Sequence, residues 1–243
     1  MDTMNIMQLD DKARMYECLS QRGFGAMLIP TKVIPAEKVL TYLARQSGDN
    51  QILFAKHSEG YCSREVHRGT AEQLGKRKKL VRQLESIGGT WVLQPKTGNG
   101  MEVRVYTRFD GNGGKVIMPA YSIRTRLWSR QYPPRGEMKL FEETRPLFYR
   151  HVLDLLKHVH LPQGMSTRIV TFDFLLDDNR VFLLEINADV ESEQSLLAFD
   201  ERLHVALIDD RMLLKDRVHT WHDRWDPATY IAIATNSEPN TGK

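Results

Sequence analysis

Residues 168–187 read RIVTFDFLLDDNRVFLLEIN. Two apolar runs flank DDNR, a polar tetrapeptide of turn composition, so the stretch predicts a β-hairpin. Phe172, Phe174 and Leu176 alternate against Asp173 and Leu175, the period of a strand. In the second run the same alternation puts Leu183, Glu185 and Asn187 on one face. Pairing across DDNR then brings Asp173 near Glu185 or Asn187 at the open end. Oxygen-bearing side chains converging there suit a hard divalent cation, and magnesium takes one or two carboxylates together with phosphate oxygens and water. Two buried carboxylates without a cation repel until one takes a proton. A solvated sheet face, or an ion pair to Arg168 or Arg180, fits the same pattern.

Outward from the hairpin, EETRPLFYRHVLDLLKHVHL predicts a helix with Phe148, Val152, Leu155, Leu156 and Val159 inward. MEVRVYTRFDGNGGKVIMPAYSIRTRLW predicts two strands around a Gly-rich turn, and TWVLQP another strand. TAEQLGKRKKLVRQLESIGG predicts one helix, opened by a Thr70–Gln73 capping box and stopped at Gly88–Gly89. Towards the N-terminus come a helix from Asp10 or Asp11, a short extended piece broken by Pro30, a helix with Pro35 in its first turn, and the strand QILFAKHS. SEGYCSREVHRG is a loop returning into a short strand. Beyond the hairpin, SLLAFDERLHVALIDDRMLLKDRVHTWHDRW predicts mostly helix. The order gives an α+β fold: a first lobe over 1–93, a larger lobe over 94–235 on an antiparallel sheet, and a loose tail at 236–243.

Composition excludes several classes. The chain has 243 residues, enough for one large domain or two small ones, and a formal net charge of +3 that permits an anionic partner without demanding nucleic acid. Cys18 and Cys62 form no CxxC pair, which argues against a disulfide framework or structural zinc and fits a reducing compartment. No basic and apolar leader opens the sequence, and no apolar run nears the ~18 residues of a membrane helix, so a cytoplasmic protein is expected. GTAEQLGKRKK fails as a phosphate-binding P-loop, because Gly69 and Gly75 are misspaced and Arg77 stands where Ser or Thr is needed. DGNGG lies between alternating strands and reads as a hairpin turn. The eight histidines include no HExxH or other metal spacing, and no Ser–His–Asp or Cys–His set stands out.

A magnesium–nucleotide site also needs cations for phosphate. Lys56 ends the strand ILFAK, where an inward lysine is costly unless paired. The loop after it carries Gly60 and Arg64, suited to closing over phosphates with backbone N–H groups and a guanidinium. The segment after VLQ can offer backbone groups to an adenine edge, and Glu102 can accept from ribose hydroxyls.

This ordered set resembles the ATP-grasp superfamily over roughly residues 10–190. DDKARMYECLSQRGFGAMLIPTKVI is similar to the family's entry segment, whose lysine reaches the nucleotide phosphates; the match is Lys12. ILFAKHSEGYCSREV is similar to the strand and mobile loop that contact phosphate, with Lys56 and Arg64. TWVLQPKTGNGMEVRVY is similar to the hinge between lobes. There Gln94 replaces a commonly acidic adenine contact, the backbone of Pro95, Lys96 and Thr97 lines adenine, and Glu102 matches the ribose ligand. FDFLLDDNRVFLLEIN is similar to the magnesium hairpin, with Asp173, Glu185 and Asn187 as ligands. The resemblance implies two α+β lobes with ATP between them. The family's separate N-terminal substrate domain is expected to be missing, since Lys12 lies close to the start. Thr171 stands where the family often has an arginine, a role open to Arg168 or Arg104.

The implied chemistry is carboxylate activation by ATP and Mg2+, followed by attack of an amine or thiol on the acyl phosphate. SIRTRLWSRQYPPRGEMK carries Arg124, Arg126, Arg130 and Arg135 among Trp128 and Tyr132. Arg124 and Arg126 share a face on an extended strand, and with Arg104 and Lys56 they are the candidate catalytic cations. This segment can hold a small-molecule or peptide carboxylate, the γ-phosphate, an acidic protein partner or RNA. Two other activities occur on the fold: an ATP-binding assembly chaperone and a kinase acting on a hydroxyl.

Overall fold

The computed structural model describes residues 3–60, 65–97, 100–109, 120–124, 135–165, 168–177, 179–188, 205–207 and 218–219. Helix α1 (Lys12–Gln21) begins where Asp11 caps it, its carboxylate accepting from the Arg14 N–H at 2.8 Å. Then follow β2 (Lys32–Pro35), α2 (Ala36–Arg45), β3 (Leu53–His57), β4 (Val66–Gly69), α3 (Ala71–Gly75), α4 (Lys78–Ile87) and β5 (Thr90–Pro95). The four strands form an antiparallel sheet in the order β2-β5-β3-β4. Register places Ile34, Ala55, Trp91 and Leu93 on one face, packed against Val39, Leu43, Leu74, Leu80 and Leu84 from the helices. Phe54, Lys56, Arg68, Val92 and Gln94 occupy the other face.

Two expectations change in this unit. Residues 70–87 form two helices rather than one. Leu74 and Leu80 are both fully buried, and six residues is not a same-face spacing on one helix. The break at Lys76–Arg77 turns α4 so that both reach the core. The capping box is present, with Thr70 and Gln73 bonded in both directions. In AMLIPTKVI the strand starts only at Lys32, after a 3-10 turn over Phe24–Met27.

The second sheet-bearing unit comprises β1 (Met4–Asn5), β6 (Met101–Phe109), β7 (Ala120–Arg124), α5 (Arg135–Lys157), β8 (Val159–His160), β9 (Arg168–Asp177), β10 (Arg180–Asn187), β11 (Val205–Leu207) and β12 (Val218–His219). Its main sheet runs β10-β9-β6-β7-β11-β12. Val103, Val105, Phe172, Phe174, Leu176, Leu183 and Ile186 are buried on one face. Phe148 of α5 meets Phe174 edge-on, with ring centres 5.4 Å apart.

The chain divides into Asp10–Gly98 and a unit made of Met1–Leu9 with Asn99–Lys243. A boundary at 93/94 would cut β5, which runs unbroken to Pro95 with Leu53 opposite its end. The first residues join the larger unit because β1 pairs parallel with β8. In the segment expected to be mostly helix, the described pieces are strands: β11 pairs with β7 and with β12. The rest of that segment and the tail at 236–243 lie outside the described residues. No helix among the described residues is long and apolar enough to cross a membrane.

Candidate functional site

The hairpin forms as its alternation predicts, with Arg180 opposite Asp177 and Asn179 at φ 53° in the connection. Its register contains one irregularity. Leu183 faces Phe174 and Glu185 faces Asp173, so Leu184 is an extra residue, a β-bulge. Leu183 therefore points with the core and not with Glu185 and Asn187, which corrects the expected face. The bulge lets an apolar run end with Glu185 and Asn187 on the polar side while Ile186 stays buried.

Asp173 has Glu185 opposite it on β10 and Arg104 opposite it on β6. Three strands thus carry one row: Arg104, Asp173, Glu185. The next row holds Thr171 opposite Asn187, and the Asn187 amide donates to Thr171 Oγ1 at 3.3 Å. That leaves Asn187 Oδ1 as the oxygen to offer a cation. On the other side, Glu102 faces Leu175 and the Arg124 position on β7, and Glu102 is exposed. Asp173, Glu185, Asn187, Glu102, Arg104 and the Arg124 position therefore share one sheet face. Arg126 lies outside the described residues.

Asp173 pairs with Arg104, and the side chain of Arg168 lies outside what the structure describes. Arg104 Nε and Nη2 donate to the two carboxylate oxygens at 2.6 and 2.7 Å. The side chains are only 13 % and 8 % exposed. Arg180 instead pairs with Asp177 at 3.0 Å. The donor set suits magnesium in kind, with two carboxylates and an amide oxygen on adjacent rows, while Arg104 already engages both oxygens of Asp173. No group of three or more His, Cys, Asp and Glu among the described residues is arranged as a metal cluster. An ion here would draw on Glu185 and Asn187 and, from outside the chain, on phosphate and water.

The smaller unit presents its own cations. Lys56 lies on the sheet face opposite α2, α3 and α4, with its ammonium 5.7 Å from the Phe54 ring centre. Lys12 is the first residue of α1; its backbone N–H donates to Ser58 O at 3.0 Å and its ammonium to Gly60 O at 2.9 Å. Asp11 accepts from Ser58 Oγ at 3.0 Å. Lys12 thus sits at the root of the loop that follows β3, beside the segment expected to meet phosphate. Arg64, further along that loop, lies outside the described residues. Gln94 is buried and donates to Thr31 Oγ1 at 2.9 Å. The Lys96 N–H is spent on Ile52 O at 2.7 Å and Pro95 has none, so Thr97 holds the remaining N–H of that stretch.

Sequence reading missed the Asp11–Ser58 clasp and the pairing of Arg104 with Asp173. Neither has a local signal. The second follows only from the β6–β9 register, although the shared phase of Glu102 and Arg104 already placed both on one face.

No protein-family model matches the chain, and no curated protein does. Solved structures do. N5-carboxyaminoimidazole synthetase from Staphylococcus aureus, complexed with ADP, aligns over 82% of this chain and 56% of its own, at 13% identity and a TM-score of 0.51. D-alanine–D-alanine ligase from Helicobacter pylori aligns over 80% and 56%, at 16% identity and 0.48. An ATP-grasp ligase complexed with a minimal precursor aligns over 81% and 56%, at 17% identity and 0.45. The chain spans about half the length of the solved structures it matches. At these identities the likeness is one of fold, and the first of the three carries it: the chain has the ATP-grasp fold.

Proposed function

We propose that this ATP-grasp chain is an ATP- and magnesium-dependent carboxylate–amine (or thiol) ligase. The observation that supports it is the row Arg104–Asp173–Glu185, with Asn187 beside it, on the polar face of a sheet whose other face is apolar. ATP would supply the phosphoryl group, and magnesium would offset charge on its oxygens. Asp173, Glu185 and Asn187 are the ion's ligands in this reading, and Glu102 accepts from the ribose. Gln94 and the backbone of Pro95, Lys96 and Thr97 take adenine. Lys12, Lys56 and Arg64 balance phosphate charge, each charge-assisted contact contributing ~1.5–3 kcal/mol.

Arg104, Arg124 and Arg126 serve the acceptor end with Lys56. A carboxylate oxygen of the acceptor attacks the γ-phosphorus and ADP leaves. The amine or thiol then attacks the acyl carbon, phosphate leaves, and the proton passes to solvent. The acceptor is a small-molecule or peptide carboxylate, and a cytoplasmic setting belongs to the same proposal. A protein or RNA partner at the Arg124–Arg135 segment is a separate proposal, tested by pull-down with and without charge reversal there.

Calorimetric titration with ADP or ATP and Mg2+ tests the nucleotide half. Wild type is expected to bind, and Glu185→Gln to weaken binding at least about tenfold, or ~1.4 kcal/mol. Binding that is absent in wild type, or unchanged in the variant, sinks the site. Hydroxylamine trapping of an acyl phosphate, with acceptor-dependent ADP release, separates a ligase from a hydroxyl kinase and from a chaperone without turnover.

A further inference from the structure

Asp173 lies between a guanidinium and a carboxylate. Arg104 is opposite it on one side and Glu185 on the other. Both Asp173 oxygens accept from the Arg104 fork, at 2.6 and 2.7 Å, in a setting where water has little access. A fork of this kind holds a carboxylate in plane, takes one lone pair on each oxygen and places a positive charge beside any ion that would use the other. The other register neighbour of Arg104 is Ser122, which carries no charge. Asp173 is therefore the carboxylate directly opposite the guanidinium.

The charges of the row make the consequence definite. The row thus sets one guanidinium, Arg104, against two neighbouring carboxylates, Asp173 and Glu185. A divalent ion added at these carboxylates would set two cations competing for the same oxygens. Repulsion of that kind is relieved by anions, and nucleotide phosphates are anions.

We infer that Arg104 is a resident cation that competes with the divalent ion for Asp173. Without nucleotide the guanidinium holds the carboxylate and keeps ion affinity low. With nucleotide, phosphate charge compensates both cations, and Asp173 passes to the ion. The nucleotide-linked exchange rests on the proposed function; the competition itself does not. Arg104 acts here through Asp173 and is a positioning residue for the ion.

The test is Mn2+ binding to the full chain without nucleotide, read by electron paramagnetic resonance of the free ion. Arg104→Met is expected to bind Mn2+ at least about tenfold more tightly than wild type. Arg104→Met/Asp173→Asn is expected to lose that gain. Arg104→Lys keeps a charge without the fork and should gain less than Arg104→Met. An Arg104→Met variant that binds Mn2+ no better than wild type overturns the inference, as does a gain that survives Asp173→Asn. If Arg104→Met does not fold, Arg104→Lys decides: tighter Mn2+ binding supports the competition and equal or weaker binding refutes it. A wild type that fails to bind ADP would count against the nucleotide reading alone, since the Mn2+ comparison contains no nucleotide.

Discussion

Gly100 enters β6 against the backbone of β9. A Cβ at this position would lie 2.2 Å from Leu176 O, 2.9 Å from its carbonyl carbon and 3.0 Å from Asp177 Cβ. The obstacle is the main chain of a strand paired on both sides, so it cannot swing away as a side-chain tip would. Gly100→Ala must push the start of β6 about 1 Å outward or peel it from β9, straining or breaking the Met101–Leu176 and Glu102–Leu175 pairings. Overpacking of this kind costs about 1–3 kcal/mol, and each lost ladder hydrogen bond adds about 1 kcal/mol. The sum is a destabilisation of ~2–4 kcal/mol.

Urea unfolding followed by far-UV circular dichroism measures it, with Gly75→Ala as the control. Gly75 closes α3, and nothing lies within 4 Å of its Cβ position. Alanine there should be neutral or stabilising by up to about 1 kcal/mol. Because Glu102 and Arg104 follow on the displaced strand, Gly100→Ala should also weaken ADP–Mg2+ binding, while Gly75→Ala leaves it unchanged. Equal midpoints for Gly100→Ala and wild type would refute the claimed contact and, with it, the β6–β9 register that builds the site.

Breaking one side of the Arg104–Asp173 pair should cost about 3–5 kcal/mol, whereas Arg104→Met/Asp173→Leu should return to within about 1 kcal/mol of wild type, measured as a double-mutant cycle in urea. Thr70→Ala removes the hydroxyl that accepts from Gln73 N–H and should cost ~1 kcal/mol by thermal unfolding, with Thr70→Ser near neutral. His67 is buried, which lowers its imidazole pKa; the Gln83 contact raises it less, and nearby Arg77 and Lys79 lower it further. The unfolded chain then takes up a proton at about pH 6.5 that the folded chain refuses, so stability present above that value falls as pH drops below it. The decline between pH 7 and pH 5 should be shallower in His67→Leu, and an identical slope would contradict it.

Local periodicity made much of the architecture legible. The strands at 90–95 and 168–187, the capping box at Thr70 and the inward face of Phe148, Val152 and Leu155 depend on neighbours within a few residues. What escaped depends on register or on packing at a distance. One helix over 70–87 satisfied local propensity, yet only a break at Lys76–Arg77 lets Leu74 and Leu80 both reach the core. The strands at Val205–Leu207 and Val218–His219 are short, and β11 finds its place on the edge of β7, a partner far away in sequence. Strict alternation places Leu183 on the polar face because it has no room for the extra residue Leu184.

The candidate site divides the same way. Asp173, Glu185 and Asn187 were legible because polar residues in phase on an otherwise apolar hairpin need a reason, and the β9–β10 register brings Asp173 opposite Glu185. The sequence also posed a difficulty: two carboxylates side by side in a sheet repel unless something carries the opposite charge. Arg104, from a strand some seventy residues earlier, supplies that charge across β6–β9. A hairpin read by itself cannot reveal it, because the compensating residue belongs to the next strand of the sheet and not to the hairpin. The pair therefore gives the Asp173 carboxylate a charge-compensated arrangement from within the sheet itself.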